Sequence, residues 1–570
     1  MTELDPFPYG VASFEPTASG VLLWTRATAA GPVDWELATD EAFSAVVETG
    51  RSDAGFLEGG QAGADAEASH VVSADGLTPG ADHFYRFSQG GRFSPVGRTR
   101  TLPDDDRPIR LGLACCGDYS AGHFAAYRAL ADADIDAVVH LGDYVYAEVE
   151  GDLRPVDPTH EAITRDEYRC RYAQVRLDPD LQALHQRHPM FTVADDHDLA
   201  DNAYEDGAKT HDPETEGPWS TRRDGAVAER SEWLPVRTDG PPGRSARAQW
   251  RSVRLGELGE LVLLDTRLAG RDRHADDEDG PDLDDSNRSI LGSAQMAWVG
   301  ERLADTSGPW SIVVSSVVIN PMHLDLPGRL GMNRPLPPGY LVTDGIAINT
   351  DGWDGYPCER DRLAAALRAR GRGGVLLSGD VHSAWAFEGP SDGDGPVAVE
   401  FTCPAVTSKP MGEMIPVVGG LVEAMMAAEH GVAWVDLFAR GHLVVDIDPE
   451  SVTGTWYFSD SEDPAAAAQR GSSWTTHLDR PGQLVQVDAD PEHPARRNPA
   501  ERGSTSSSGA DHADAASGSR DRTVPSPVPP RPEGVVAAEA RHRRRTRLAA
   551  TVVVTVAFLW WELHREGPDR

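Results

Sequence analysis

Lysine is nearly missing from this chain. Only Lys209 and Lys409 occur in 570 residues, so arginine carries almost all the positive charge, as expected from a G+C-rich genome. Positive charge of any kind is scarce: 53 Lys and Arg against 91 Asp and Glu leave a formal charge of −38. A surface of that sign repels a phosphate backbone, which excludes non-specific nucleic-acid binding by the folded body. The acid excess favours solubility, reads for the most part as a solvated face, and locally suits cations. Cysteine is sparse and irregular: Cys115, Cys116, Cys170, Cys358 and Cys403 are odd in number and unevenly spaced, which excludes a disulfide framework and leaves thiols free as ligands. The opening MTELDPFPYG has no basic stretch, twin arginine or apolar core, so no signal peptide is expected there.

Apolar residues make up 40% of the chain, enough for a sizeable core, and the length predicts more than one folded part. Residues 7–102 read as a small antiparallel sandwich. GVLLWTRA, VDWELATD, SAVVETG, HVVSADGL and DHFYRFS alternate, are rich in Val, Trp, Tyr and Phe, and are separated by Gly, Pro and Asp. GLTPGADHFYRF is a turn and strand common in fibronectin-like modules. From residue 108 to 480 the pattern becomes α/β. IRLGLACC, DAVVHLGD, MFTVADDH, ELVLLDTR, WSIVVSSVVI and GGVLLSGDVH are buried-strand runs, and FAAYRALADAD, AQMAWVGERLAD and ERDRLAAALRAR between them are helical.

Residues 488–546 have the composition of a disordered linker, with ERGSTSSSGADHADAASGSRDR and PSPVPPRPEG. RHRRRTR follows, and then LAATVVVTVAFLWW. That run falls short of the ~20 residues that span a bilayer. The segment 548–563 still fits a short membrane anchor, with arginines before it and a Trp pair at the end of the run, or else a terminal helix packed on the body or a partner. The anchor reading places the folded body in the cytoplasm.

Four strand runs end in residues able to hold a metal: Cys116, then Asp143 and Tyr146, then Asp195, Asp196 and His197, then Asp380 and His382. Open α/β sheets bind ligands at the carboxyl ends of their strands, and carboxylates gathered there repel unless a cation neutralises them. Each signal has an ordinary reading of its own. Gly-Asp is turn chemistry, Asp-Asp-His-Asp resembles a helix N-cap, Gly-Asp-Val-His fits a histidine satisfied near a turn, and Cys116 fits a core position. Their joint occurrence, each time after a strand, is what points to a metal centre.

HLGDYVYAEV, TVADDHDLADN, LLDTRLAGRDR, LGSAQMAWV, DGWDGYPCERDRL, VLLSGDVHSAWAF and VEFTCPAVTS, with GVASFEP and GVLLWTR before them, resemble the successive motifs of the PhoD-like alkaline phosphatase family within the calcineurin-like metallophosphoesterases. The resemblance runs to about residue 460. It implies a metallophosphoesterase-type β-sandwich flanked by helices, preceded by a small all-β domain of fibronectin or immunoglobulin type. It implies ferric iron and calcium, which the sequence does not separate from manganese or zinc. Cys116, Asp143, Tyr146, Asp196, Asp380 and His382 match the family's metal ligands, with Asp143 bridging and Asp196 standing where the wider superfamily has asparagine. His197 matches the neighbouring histidine, which stabilises the transition state or protonates the leaving oxygen. Asn202 and Arg267 are candidates for phosphate contact; a turn or a structural salt bridge is the competing role.

Mixed sulfur, nitrogen and oxygen donors independently suit iron, and the all-oxygen set Asp143, Asp196 and Asp380 suits calcium. The chain departs from the family in VASFEP for VASGDP, in Cys115 where a small residue is usual, in Ala194 where tryptophan is common, in Asp198 where glutamate is common, in the missing secretion signal and in the extra tail. The expected function is hydrolysis of a small-molecule phosphate ester by a water activated between two metals. A phosphodiesterase or phospholipase-type hydrolase is the alternative within enzymes. A membrane-tethered binding protein with a degenerate core is the alternative outside them, and the full complement of ligand types argues against it.

Overall fold

Residues alternate faces along IRLGLA, and the alternation decides what each face meets. Ile109, Leu111 and Leu113 point into a core shared by two sheets, while Gly112 faces the helix Ala125–Asp132. A Cβ on Gly112 would lie 2.7 Å from Ile135 Cδ1 and Leu130 Cδ2, so a larger residue here would push those side-chain ends aside. The same period of two recurs in the second sheet. Leu261 and Leu263 face the shared core and Val262 faces outward, as do Val375 and Leu377 against Leu376.

The structure, a computed structural model, describes residues 5–53, 68–237, 248–275, 283, 285–324, 346–347, 349–391, 395–414 and 419–487. The linker 488–546 and the apolar segment 548–563 lie outside them. Among the described residues no helix is long and apolar enough to cross a membrane.

A ten-stranded sheet runs in the order Val485–Gln486, Gln469–His477, Ser451–Phe458, Gly441–Ile447, Ile109–Ala114, Ala137–His140, Met190–Thr192, Val11–Phe14, Gly20–Ala27 and Ala68–Asp75. A seven-stranded sheet runs Arg251–Arg254, Gly259–Leu263, Trp310–Val314, Gly374–Ser378, Val399–Thr402, Ala384–Glu388 and Val432–Asp436. The central strands of each are parallel. The two sheets pack on each other through Leu111, Val139, Leu263, Val314, Leu377 and Phe401. Outside the first sheet lie the helices Ala125–Asp132 and Pro179–Arg187, packed through Tyr127, Leu130, Leu181 and Leu184. Outside the second lie Gly292–Ala304 and Pro357–Arg370, packed through Val299, Leu303, Leu363 and Leu367. The fold is thus mixed α/β with several sheets.

The N-terminal strands divide between two sheets. Val11–Phe14 joins the ten-stranded sheet in parallel to Met190–Thr192, at Phe14 opposite Met190. Val33–Ala38, Val46–Ser52, Asp82–Gln89, Arg92–Phe93 and Gly97–Arg100 form a separate five-stranded sheet. Val21, Leu23, Trp35, Leu37, Tyr85 and Phe87 fill the space between. Glu15, in VASFEP, forms a buried two-point ion pair with Arg251 on the edge of the seven-stranded sheet, at 2.7 and 2.5 Å.

Candidate metal centre

The strand ends that carry the expected ligands turn sharply. Cys116, Asp143, Asp380 and His382 have positive φ, at 55°, 52°, 72° and 51°. Asp and His tolerate this region better than most residues, Cys less well. Such backbone costs on the order of 1–3 kcal/mol per residue and persists where surrounding structure enforces it, most often at functional sites. Gly142 allows the close approach beside Asp143: its φ is 110°, and a Cβ there would lie 2.4 Å from Asp195 Cβ.

Cys116, Asp143 and His382 bring one ligand atom each to within 4.8 Å of the others. The Tyr146 hydroxyl joins them, 3.1 Å from Asp143 Oδ2 and 3.3 Å from His382 Nε2. His382 Nδ1 lies 3.0 Å from the Lys409 carbonyl. That contact requires the proton on Nδ1 and leaves the lone pair of Nε2 facing the cluster. Asp143, Asp196 and His197 form a second group of the same compactness, and Asp195, Asp196 and Asp380 a third. Asp143 therefore belongs to both sides.

The carboxylates are only partly satisfied. Among the described residues, Asp195 Oδ2 and Asp196 Oδ1 are buried and accept no hydrogen bond. Asp196 Oδ2 accepts from the Asn202 backbone N–H at 2.7 Å, and the Asn202 amide, nitrogen inward, reaches the same oxygen at 3.3 Å. Asp380 Oδ2 accepts from Asn349 Nδ2 at 3.0 Å. Burial pushes the Asp143 and Asp380 carboxyls well above the usual range, and repulsion from neighbouring aspartates adds to it. Asp195 rises to about 6, chiefly through burial. Burial also raises the Cys116 thiol and the Tyr146 phenol, and lowers His382 to about 4. A cation reverses the preference of the carboxyls, thiol and phenol by taking the place of their protons, and it suits a His382 ring that is already neutral. The donors fit cations of two kinds, with sulfur, nitrogen, phenol and carboxylate on one side and carboxylates alone on the other.

Arg267 lies on the protein side of this cluster. It is fully buried, and its Nε donates to Asp195 Oδ1 at 2.6 Å. Nη1 and Nη2 donate to the two Asp351 oxygens at 2.9 and 2.5 Å. Its Nη2 also lies 3.4 Å from Asp196 Oδ1. Asn202 stands beside Asp196, as described.

His197 stacks on Tyr146, ring centroids 4.4 Å apart, and its Nδ1 is 2.8 Å from Glu148 Oε2. Burial would lower the imidazole's affinity for its proton, but Asp196, Asp143 and Glu148 override it and hold the ring charged well above its ordinary range.

Glu148, Asn349 and Asp351 are parts of the site that sequence reasoning passed over. Glu148 stood in view inside HLGDYVYAEV, and Asp351 opens DGWDGYPCERDRL. Neither follows directly on a strand, so the pattern used to find the others did not reach them. Asp195, at its strand end, joins the group with Asp196 and Asp380.

Layered sheets flanked by helices, with a buried carboxylate cluster at strand ends, give the chain a metallophosphatase-type fold. More narrowly, it belongs to the PhoD-like phosphatase family: the model for PhoD-like phosphatase matches residues 111–456, and that for the PhoD-like phosphatase N-terminal domain matches residues 2–103. Alkaline phosphatase D of Bacillus subtilis (strain 168) is 31% identical over 406 residues, 67% of this chain and 65% of that protein. The match thus spans just under two thirds of that relative's length. The solved structure of PhoD superposes with a TM-score of 0.72 at 26% identity, covering 86% of this chain and 94% of that one. Purple acid phosphatase PPD1 from yellow lupin (Lupinus luteus) seeds shares the fold, with a TM-score of 0.50 at 13% identity over 82% of this chain and 73% of its own.

Proposed function

We propose that this protein hydrolyses small-molecule phosphate esters at a two-metal centre. Cys116, Asp143, Tyr146 and His382 would hold ferric iron, and Asp143, Asp195, Asp196 and Asp380 would hold calcium. The observation that carries this reading is the convergence of these donors from four strand ends, on strained backbone, with buried carboxylate oxygens left unsatisfied. Bound metals would supply positive charge to the phosphate oxygens and acidify the attacking water.

The chain's own residues do the rest. Asp143, shared by both sides, fixes their spacing. Arg267 and Asp351 hold Asp195 from behind, so the carboxylate cluster keeps its shape. Glu148 binds His197 at Nδ1 and Tyr146 stacks on its ring, so the charged imidazole is oriented to pass its Nε2 proton to the leaving oxygen; a positioned acid of this kind is worth ~10²–10⁴ in rate. Asn202 keeps Asp196 in place. We assign it and Arg267 to positioning carboxylates, with phosphate contact the competing role. On the same footing, we propose that residues 488–546 tether the catalytic body to an anchor at 548–563 on the cytoplasmic face of a membrane.

The test is elemental analysis of the purified protein alongside aryl monoester and diester assays, with Asp143→Ala as comparison. Wild type should carry both metals and turn over esters; the variant should lose both. Near-normal turnover by Asp143→Ala with two metals retained would refute the site, and metal-free, inactive wild type would favour a binding protein.

A further inference from the structure

The tripeptide Thr407–Lys409 touches three of the four residues assigned to the iron side. The backbone N–H groups of Thr407 and Ser408 both reach the Cys116 carbonyl, at 3.3 Å. The Ser408 hydroxyl lies 3.0 Å from that same carbonyl and 2.6 Å from the Tyr146 hydroxyl. The Lys409 carbonyl receives the His382 Nδ1 proton at 3.0 Å. The segment is itself held in place. Arg440 Nε donates to the Thr407 and Ser408 carbonyls at 3.0 and 3.2 Å, and both Arg440 terminal nitrogens are paired with Glu413 at 2.8 Å. Thr407 Oγ1 further donates to the Asp118 carbonyl at 2.6 Å. Ser408 is fully buried.

Proton counting around the Tyr146 oxygen makes one of these contacts decisive. Three side-chain groups lie within hydrogen-bonding distance of it: Asp143 Oδ2, His382 Nε2 and Ser408 Oγ. An ionised Asp143 has no proton to give. His382 spends its single proton on Lys409, so its Nε2 presents a lone pair. If the phenol keeps its own proton, it can donate to any of the three. With Tyr146 as a phenolate metal ligand, the single side-chain donor within its reach among the described residues would be the Ser408 hydroxyl. That hydroxyl then turns its one hydrogen from the Cys116 carbonyl to the phenolate.

We infer that Ser408 is a positioning residue for the metal centre, donating a hydrogen bond to the phenolate of Tyr146 and thereby setting how strongly that oxygen gives charge to the metal. The inference rests on the reading that Tyr146 ligates ferric iron. Groups that hydrogen-bond a ligand tune the metal without touching it, and a bond to an ionised acceptor is roughly twice as strong as one between neutral groups.

The experiment is visible absorption of the purified, metal-loaded protein for wild type, Ser408→Ala, Ser408→Thr and Tyr146→Phe, at matched iron content. Wild type should show a charge-transfer band that Tyr146→Phe removes. Ser408→Ala should keep its iron and shift that band to longer wavelength, because a phenolate without its donor gives up charge more easily. Ser408→Thr, which keeps the hydroxyl, should restore the wild-type position. Should Ser408→Ala not fold, the near-isosteric Ser408→Cys, with its weaker donor, should shift the band in the same direction by less. A band present in wild type but unmoved by Ser408→Ala or Ser408→Cys would overturn the role of Ser408 alone. An iron-loaded wild type with no band that depends on Tyr146 would overturn the iron–tyrosinate reading, and this inference with it.

Discussion

Arg267 and Asp351 form a buried two-point ion pair behind the candidate metal centre, Nη1 to Oδ1 at 2.9 Å and Nη2 to Oδ2 at 2.5 Å, and the same guanidinium holds Asp195 through Nε. Removing one partner of such a pair strands a buried charge, at a cost of about 3–5 kcal/mol. Arg267→Ala should therefore lower thermal stability markedly and weaken metal retention. Arg267→Lys should recover little, since an ammonium cannot span three carboxylate oxygens in a fixed fork. Thermal unfolding with parallel metal analysis checks both. An Arg267→Ala protein of normal stability and metal content, altered only in KM, would point to phosphate contact instead.

His197 is held by Glu148 and Tyr146, beside the shared Asp143. His197→Gln should keep both metals yet lose about 10²–10⁴ in kcat. The loss should be much larger for alkyl phosphates, whose leaving oxygen needs a proton, than for nitrophenyl phosphate. Equal losses on both substrates would assign the ring to charge stabilisation rather than proton donation.

The helix Arg165–Arg176 begins with a capping box, in which Thr164 accepts from the Glu167 N–H and Glu167 from the Thr164 N–H. Partial burial alone would raise the Glu167 carboxyl, but hydrogen bonds from Thr164, His160 and Ile163 together bring it down to about 2. The folded value lies below the unfolded one. Its contribution is thus complete above the ordinary glutamate range of 4.5 and fades as pH falls from there toward about 2. Glu167→Gln should melt at lower temperature than wild type at neutral pH, with the gap closing as pH falls through that window. Thr164→Ala should cost about 1 kcal/mol. Denaturant melts across pH measure both.

The arginine run RHRRRTR precedes the apolar segment, so an anchor would leave the linker and catalytic body on the cytoplasmic side. Full-length protein should fractionate at least partly with membranes, more so with acidic lipids. Truncation before Arg541 should release it with turnover on a soluble ester unchanged. Full-length protein wholly in the soluble fraction at low and high salt would favour a packed terminal helix.

Much of the candidate centre was legible in the sequence, because its possible donors are announced locally. Cys116, Asp143, Asp196, Asp380 and His382 each stand a few residues beyond a buried apolar run, and strand ends are where such sheets place ligands. The apolar runs in IRLGLA and ELVLL likewise marked buried strands. The N-terminal strands were legible as strands but not in their partners. Period two records which side chains share a face; it does not record which edge a strand pairs with. Phe14 opposite Met190 is a contact between residues 176 positions apart.

The sequence by itself determined the order of the candidate donors and the strand each one follows, since these depend on neighbours in the chain. The tertiary structure alone decided what each donor leans on. Arg267 read equally as a phosphate contact or a salt bridge, and packing set it against Asp195 and Asp351. Ser408 closes VEFTCPAVTS with no mark of a role of its own, and the Lys409 carbonyl carries no local signal, yet they meet Tyr146 and His382 because two sheets close over a shared core and bring their strand ends together. Hydrogen bonds act over about 3 Å in space, and a one-dimensional pattern carries no distance between residues so far apart in sequence.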